Sequence, residues 1–294
     1  MLGLRRKGDD VHTAALPILR KPGVPIIFAY ADLNDVWTKS FLDIVLRQAA
    51  LASPGSDIII LTDAERPCPP GIIQVPLGEH HAAVLHFKRL YRHTSSNRFK
   101  FELFCFTRWF CIREFVRRHG IARFCVFDCD VLLFSPVETF VAAFGDHLAG
   151  NWSWANTISS LRALDLICGH FEAVFQDRGL FASITKRNRV GAAPLVSDMV
   201  ALFDLAERDS TFLNQHTLLG DGFDDNINFS SGGLFAMDGP IKALTVGADG
   251  IPRARRARDG VVVPFHFLHF QGPAKNLIAK FAWQLAKPSP LELT

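Results

Sequence analysis

Residues 58–61 read Ile-Ile-Ile-Leu, an unbroken apolar run between the turn-forming SPGS and Thr62-Asp63. A strand with one wet face alternates apolar and polar residues. A run without alternation fits a strand covered on both faces, as in a parallel sheet sandwiched by helices. The flanking sequence agrees: VPIIFAY (24–30) reads as a strand, and LNDVWTKSFLDIVLRQAALA after it has apolar residues at helical spacing. The first 63 residues therefore read as a βαβ unit. GIIQVPL supplies a third strand, residues 80–94 carry no decisive pattern, and FKFELFCFTRWFCIREFVRRHG reads as an amphipathic helix closed by Gly120. FCVFDCDVLLFSP (124–136) follows as a strand, and SPVETF predicts a further helix with Ser135 as N-cap, Pro136 at N1 and Glu138 at N3 in a capping box. The expected fold class is α/β, a mostly parallel central sheet of Rossmann-like type flanked by helices.

The 294 residues are 49% hydrophobic and 21% charged, which places the chain among globular proteins able to bury a large core. A single domain over 1–294 is expected, with a first half at about 24–136, a second at about 137–275 and a tail at 276–294. The 26 phenylalanines against 2 tyrosines point to an unusually apolar interior. A net charge of +3 is too small to argue for nucleic acid. Its most concentrated basic stretch is RARRAR, with Arg253, Arg255, Arg256 and Arg258, read as a solvated loop or as a site of attraction to anionic lipid or glycan. None of the six cysteines forms a CxxC pair, the pattern of buried thiols in a reducing compartment. No apolar segment follows the basic N-terminal residues, and no apolar run approaches 18 residues. The expected location is cytoplasmic, with peripheral contact at the inner face of a membrane as the sharper alternative.

Asp128 and Asp130 are the residues that composition cannot absorb. They stand one apart in an apolar run, and burying an uncompensated charge costs several kcal/mol. They fall near the C-terminal end of a central strand, the edge where open α/β sheets bind ligands. On a regular strand they would face opposite ways, so one site can use both only if the strand ends or bends there. A hard divalent cation with substrate phosphate oxygens would compensate them. The plainer reading is a strand-end cap, or a pairing with an arginine such as Arg123.

A second group lies in FHFLHFQGPAK: His266, His269, Gly272 and Lys275. Imidazole can complete a metal's ligand set, glycine permits close approach of backbone to phosphate, and lysine offers a point charge to a diphosphate. An alternating strand with histidines on its polar face is the simpler alternative.

The DxD strand with SPVETF after it, the preceding helix with Arg108, and the late HFQGPAK together resemble nucleotide-sugar glycosyltransferases of the GT-A type. The late element is similar to the HxxGxxK signature of retaining enzymes in the glycogenin and bacterial galactosyltransferase group. The resemblance implies a transferase moving a hexose from a nucleotide-diphosphate sugar, a UDP-sugar favoured, to a glycan or glycolipid acceptor. It implies Mn2+ or Mg2+ held by Asp128, Asp130 and His269, with His266 as rival, and Lys275 neutralising the leaving diphosphate. It assigns donor contacts to Ala29, Tyr30, Arg108, Asp128, Gly272 and Lys275, with Arg113 or Arg117 as alternatives to Arg108. Catalytic roles fall on Asp130, Lys275 and Asp198. Asp198 matches the family's aspartate segment loosely, because the usual glutamine after it is Met199, and helix capping by Ser197 or Asp198 explains the residues as well.

FDDNINFSSGGLF, with Asp224, Asp225 and Asn226, reads as an acceptor loop or a plain turn. Trp152 and Trp154 read as a sugar-stacking pair or as core. Two other classes remain open. A nucleotidyltransferase would carry a Gly-rich basic loop after the first strand, where this chain has AYADLND. A non-catalytic carbohydrate or nucleotide binding protein would keep the fold and lack turnover.

Overall fold

The apolar runs become adjacent parallel strands. The structure, a computed structural model, describes residues 18–33, 36–64, 67–141, 148–150, 156–190, 193–210, 212–214, 222–224 and 226–283. Strand β1 (Ile26–Tyr30), helix α1 (Val36–Ala52) and β2 (Ile58–Thr62) form the expected βαβ unit, and β3 (Ile73–Val75) adds alongside β2. Helices α2 (His81–Leu90) and α3 (Phe99–Arg118) lead to β4 (Arg123–Phe127), which lies parallel to β1 on its other side. The undecided stretch 80–94 is thus largely α2. Beyond β4, β5 (Val131–Leu133) leaves the sheet, a short helix α4 covers Glu138–Val141, and β6 (Leu148–Gly150) and β7 (Asn156–Ser160) return to it. Helices α5 (Leu161–Gln176), α6 (Arg178–Arg187) and α7 (Asp198–Arg208) follow, with the ribbon β8 (Arg189–Val190) and β9 (Ala193–Pro194) between the last two and β10 (Phe212–Asn214) after them.

The main sheet runs β10-β6-β7-β4-β1-β2-β3. Its β3-β2-β1-β4 part is parallel, and β7 joins β4 antiparallel. Side chains alternate between two cores as strand geometry requires. Ile26, Phe28 and Tyr30 point with Ile58, Ile60, Cys125 and Phe127 to the α1 side. Ile27, Ile59, Leu61, Phe124 and Val126 point to the side covered by α2, α3, α5 and α7. Coverage of both faces is why the 58–61 run needs no polar residue. Ten-residue α2 and the helices around it form an aromatic core in which Phe87, Phe106, Phe110 and Phe171 meet, which is where much of the phenylalanine goes.

The later chain makes the ribbon β11 (Met237–Asp238) and β12 (Ile241–Lys242), a three-stranded antiparallel sheet β13 (Leu244–Val246), β14 (Pro252–Arg255) and β15 (Val262–Pro264), then β16 (Phe267–His269) and helix α8 (Ile278–Phe281). The start of the expected tail is packed: the Trp283 backbone N–H donates to Gln48 Oε1 at 2.9 Å and its indole donates to the Gly250 carbonyl at 3.0 Å. None of the six cysteines is in a disulfide, and no described helix is long and apolar enough to cross a membrane.

One local expectation is corrected. Glu138 does not close a capping box with Ser135; its carboxylate accepts from Ser56 Oγ at 2.9 Å and Ser53 Oγ at 3.2 Å, while the Ser135 hydroxyl pairs with His266 Nδ1 at 3.0 Å. The Val137 N–H finds Ser53 Oγ instead of an intrahelical cap. Partners more than 80 residues away outcompete the local cap, because they tie this turn to the end of α1. RARRAR is also not a bare loop. Arg253 binds Asp249 at 2.5 Å, Arg256 binds Asp259 at 2.7 Å and Arg255 donates to the Gly260 carbonyl at 2.7 Å.

Candidate active site

Strand β4 ends at Phe127, and residues 128–130 turn before β5 begins. The Val131 N–H donates to the Asp128 carbonyl at 3.2 Å and closes that turn. The chain is therefore no longer a regular strand at the two carboxylates, which frees Asp128 and Asp130 from opposite faces. The turn lies at the C-terminal edge of the parallel strands, beside the end of β1.

His269 reaches the same place through a second pairing. β16 runs antiparallel to β5 with His269 opposite Val131, and the Phe270 N–H donates to the Asp130 carbonyl at 2.9 Å. His269 Nε2 lies 3.5 Å from Asp130 Oδ1. His266 is three residues earlier, so the strand's alternation sends it the other way, against Ser135 and over the Phe223 ring with centroids 4.8 Å apart. Burial holds its pKa below the ordinary histidine value, and it does not compete for the metal position.

After His269 the chain enters a 3-10 helix over Gly272–Leu277. Gly272 has φ +59°, a conformation that strains other residues, and it borders the cavity. That turn carries Lys275 back so that its Nζ lies 3.2 Å from Asp130 Oδ2.

Arg108 is the inward arginine of α3. Its guanidinium pairs with Asp128 and donates to Asp198 Oδ2 at 3.2 Å, linking α3, the turn and the start of α7. Arg113 and Arg117 instead face Asp165 on α5, at 3.8 Å and 2.9 Å. Arg123 donates to the Val141 carbonyl. The plainer expectation of a cation beside the carboxylates holds in kind, with Arg108 and Lys275 in the place given to Arg123. Ser197 caps α7 by accepting from the Val200 N–H at 3.2 Å, which leaves Asp198 to face the cavity.

The electrostatics follow from these partners. Burial raises the Asp128 pKa, with Arg108 opposing and Asp130 adding to the rise. Burial also pushes Asp130 up, but His269 and Lys275 outweigh it and hold it at about 2. Burial raises Asp198 against the pull of Arg108.

All of these groups line one cavity of about 520 Å³, together with Ala29 and Tyr30 at the end of β1. Tyr30 is otherwise buried in the α1-side core. One ligand atom each from Asp128, Asp130 and His269 lie within 4.8 Å of one another. Opposite donors on an octahedral Mg2+ stand about 4.2 Å apart, so small side-chain movements bring this set to bonding distance. Two carboxylates and an imidazole suit Mg2+ or Mn2+.

One sequence reading changes. Asp224 is not an acceptor-loop residue: it is 1% exposed, pairs with Lys242 at 2.5 Å and accepts the His269 backbone N–H at 2.9 Å. It is a support beneath the histidine. Asp225, Trp152 and Trp154 lie outside the described residues. Asp224→Ala is expected to cost about 3–5 kcal/mol of stability, because Lys242 would stay buried without its counter-charge. Urea unfolding checks it, and a change under 1 kcal/mol would refute the assignment. Sequence reasoning missed Glu102, Ser95 and Asn97, which also border the cavity. A signal existed for Glu102: it falls in the apolar stripe with Phe106 and Trp109, at i+4 and i+7.

No protein-family model matches the chain, and no curated protein matches it. Among solved structures, an active-site mutant of LgtC aligns with a TM-score of 0.50 at 11% identity, covering 91% of this chain and 98% of that one. The galactosyltransferase LgtC in complex with donor and acceptor sugar analogs gives 0.49 at 12% over the same shares. Apo mouse xyloside xylosyltransferase 1 gives 0.47 at 6%, over 65% of this chain and 84% of that one. The likeness is one of architecture, and the chain has the mixed α/β fold of GT-A glycosyltransferases.

Proposed function

We propose that the protein is a glycosyltransferase that moves a hexose from a nucleotide-diphosphate sugar, UDP-linked by preference, to a glycan or lipid-linked glycan, with retention of configuration. The observation that carries this reading is the convergence of Asp128, Asp130, His269, Lys275 and the Arg108–Asp198 pair on one cavity at the C-terminal sheet edge. In this reading residues 24–136 hold the nucleotide and 137–275 form the acceptor side. Ala29 and Tyr30 border the base, and Gly272 keeps the backbone beside the diphosphate without a side chain in the way.

Asp128, Asp130 and His269 would hold Mn2+ or Mg2+, which when bound neutralises charge developing on the departing diphosphate. Lys275 supplies a second positive contact to the same leaving group. Arg108 fixes the two carboxylates either side of it, so Asp198 meets the donor in one orientation. Retention rests on the resemblance around HFQGPAK.

The test is a thermal-shift series with UDP, GDP and their sugars, each with and without Mn2+. A ligand at 100 times its Kd stabilises by about 2.7 kcal/mol, which is on the order of 5 °C for a chain of this size. Metal-dependent release of sugar from the donor without acceptor separates an enzyme from a binding protein. A melting point unmoved by every nucleotide, with and without metal, would sink the reading.

The reading puts the work on the cytoplasmic side, with weak attachment to the inner membrane face through Arg253, Arg255, Arg256 and Arg258. Asp249 and Asp259 offset half of that charge. Binding to anionic vesicles at physiological salt is expected to be weak and to vanish as salt rises. Equal co-sedimentation with anionic and neutral vesicles removes the membrane contact.

A further inference from the structure

The cavity has a wall that the metal and diphosphate residues do not use, formed by Ser95, Asn97, Phe101 and Glu102. Glu102 stands in the first turn of α3 and is 1% exposed. Its Oε2 accepts from Ser95 Oγ and from Asn97 Nδ2, each at 2.7 Å. Its other oxygen, Oε1, is shielded from water and has no hydrogen-bond partner among the described residues. Buried acceptors are nearly always satisfied, so an open one at a cavity wall is an interaction waiting for a donor. The terminal torsion of glutamate is broad, so a small turn of the carboxylate, which stretches the Oε2 bonds to Ser95 and Asn97, brings Oε1 toward the cavity that Glu102 borders.

The neighbouring residues narrow the class of donor. Phe101 lines the cavity yet is 44% exposed, an apolar ring left at the wall beside a carboxylate, an amide and a hydroxyl. Pyranoses present both surfaces: a C–H face that packs on an aromatic ring and hydroxyls around the rim that donate to oxygen. Glu102 is six residues before Arg108, about 9 Å along the helix. The wall thus lies toward the N-terminal end of α3 from Arg108, in the same cavity.

We infer that Phe101 and Glu102 form a sugar subsite, in which Phe101 packs against a pyranose face and Glu102 Oε1 accepts from one of its hydroxyls. This rests on the nucleotide-sugar reading. The pyranose is either the transferred sugar of the donor or the receiving sugar of the acceptor, and two titrations tell them apart. In the first, calorimetry compares UDP·Mn2+ with UDP-glucose, UDP-galactose and UDP-N-acetylglucosamine. In the second, methyl glycosides and lactose are titrated onto the protein saturated with UDP·Mn2+.

Glu102→Gln and Phe101→Ala are each expected to weaken sugar-dependent binding about tenfold in one arm and to leave UDP·Mn2+ affinity within about twofold. Glu102→Asp, which keeps the charge and retracts it by one methylene, should show the same loss and guards against a misfolded Gln variant. Ser95→Ala, which loosens the loop and spares Oε1, should change sugar binding less than Glu102→Gln does. Parallel loss of UDP and sugar affinity in the Glu102 variants would make the residue a prop for the loop and overturn the subsite. So would unchanged affinity in both arms, or a parent protein that binds UDP·Mn2+ with no gain from any sugar. A parent that binds no nucleotide at all defeats the nucleotide-sugar reading itself, a different result.

Discussion

Replacing Asp130 with asparagine is expected to abolish Mn2+-dependent nucleotide binding while the protein still unfolds cooperatively. Asp130 is the carboxylate shared by His269 at 3.5 Å and Lys275 at 3.2 Å, so it stands at the centre of the proposed ligand set. Asparagine keeps the shape and the backbone carbonyl that accepts from the Phe270 N–H, so β5 and β16 stay paired. It removes the anionic oxygen a hard cation needs. Residues that merely support a metal ligand cost about 10–100-fold in metal affinity when changed, and loss of a ligand should cost at least the upper figure, about 2.7 kcal/mol. Calorimetry of UDP with and without Mn2+ measures it. Unchanged metal-dependent affinity in the variant would show that the metal is held elsewhere.

Lys275→Ala should lower turnover of the nucleotide sugar by at least about tenfold, equivalent to about 1.4 kcal/mol of transition-state stabilisation. The ammonium already faces Asp130 in the cavity, and in the proposed reaction charge on the departing diphosphate would grow as the glycosidic bond breaks. An interaction that strengthens in the transition state affects kcat more than binding. Lys280→Ala is the matched control: Lys280 is exposed, sits against Phe281 with 5.5 Å to the ring centroid, and does not line the cavity. Metal affinity adds an independent readout. With its ammonium gone, Lys275→Ala no longer competes for Asp130, so Mn2+ should bind as well as before or better. Equal turnover in both variants and the parent, measured as donor hydrolysis, would reduce HFQGPAK to a structural turn.

The sequence by itself determined the parallel sheet and the sheet edge at which the site lies. Runs such as Ile58–Leu61 need cover on both faces, and that requirement is local enough to read without coordinates. The stretch from His269 to Lys275, singled out by its residue types and its resemblance to HxxGxxK, supplies two of the residues that line the cavity. Tertiary structure alone decided how these residues meet. Asp128 and Asp130 come off the strand because β5 leaves the sheet to pair with β16, more than 130 residues later in the chain. Helix α3 is apolar on more than one face, so its pattern does not tell Arg108 from Arg113 and Arg117; only the placement of Asp165 on α5 draws the latter two away. Glu138 could not be read either, since a local cap and the Ser53–Ser56 pair suit the same carboxylate and the winner is set by where α1 ends. Asp224 looked like a loop acid because its counter-charge, Lys242, comes from β12, 18 residues later in the chain. Periodicity reports which faces a segment must bury. Which distant charge arrives to satisfy a buried carboxylate depends on how the elements pack, and no local pattern encodes that.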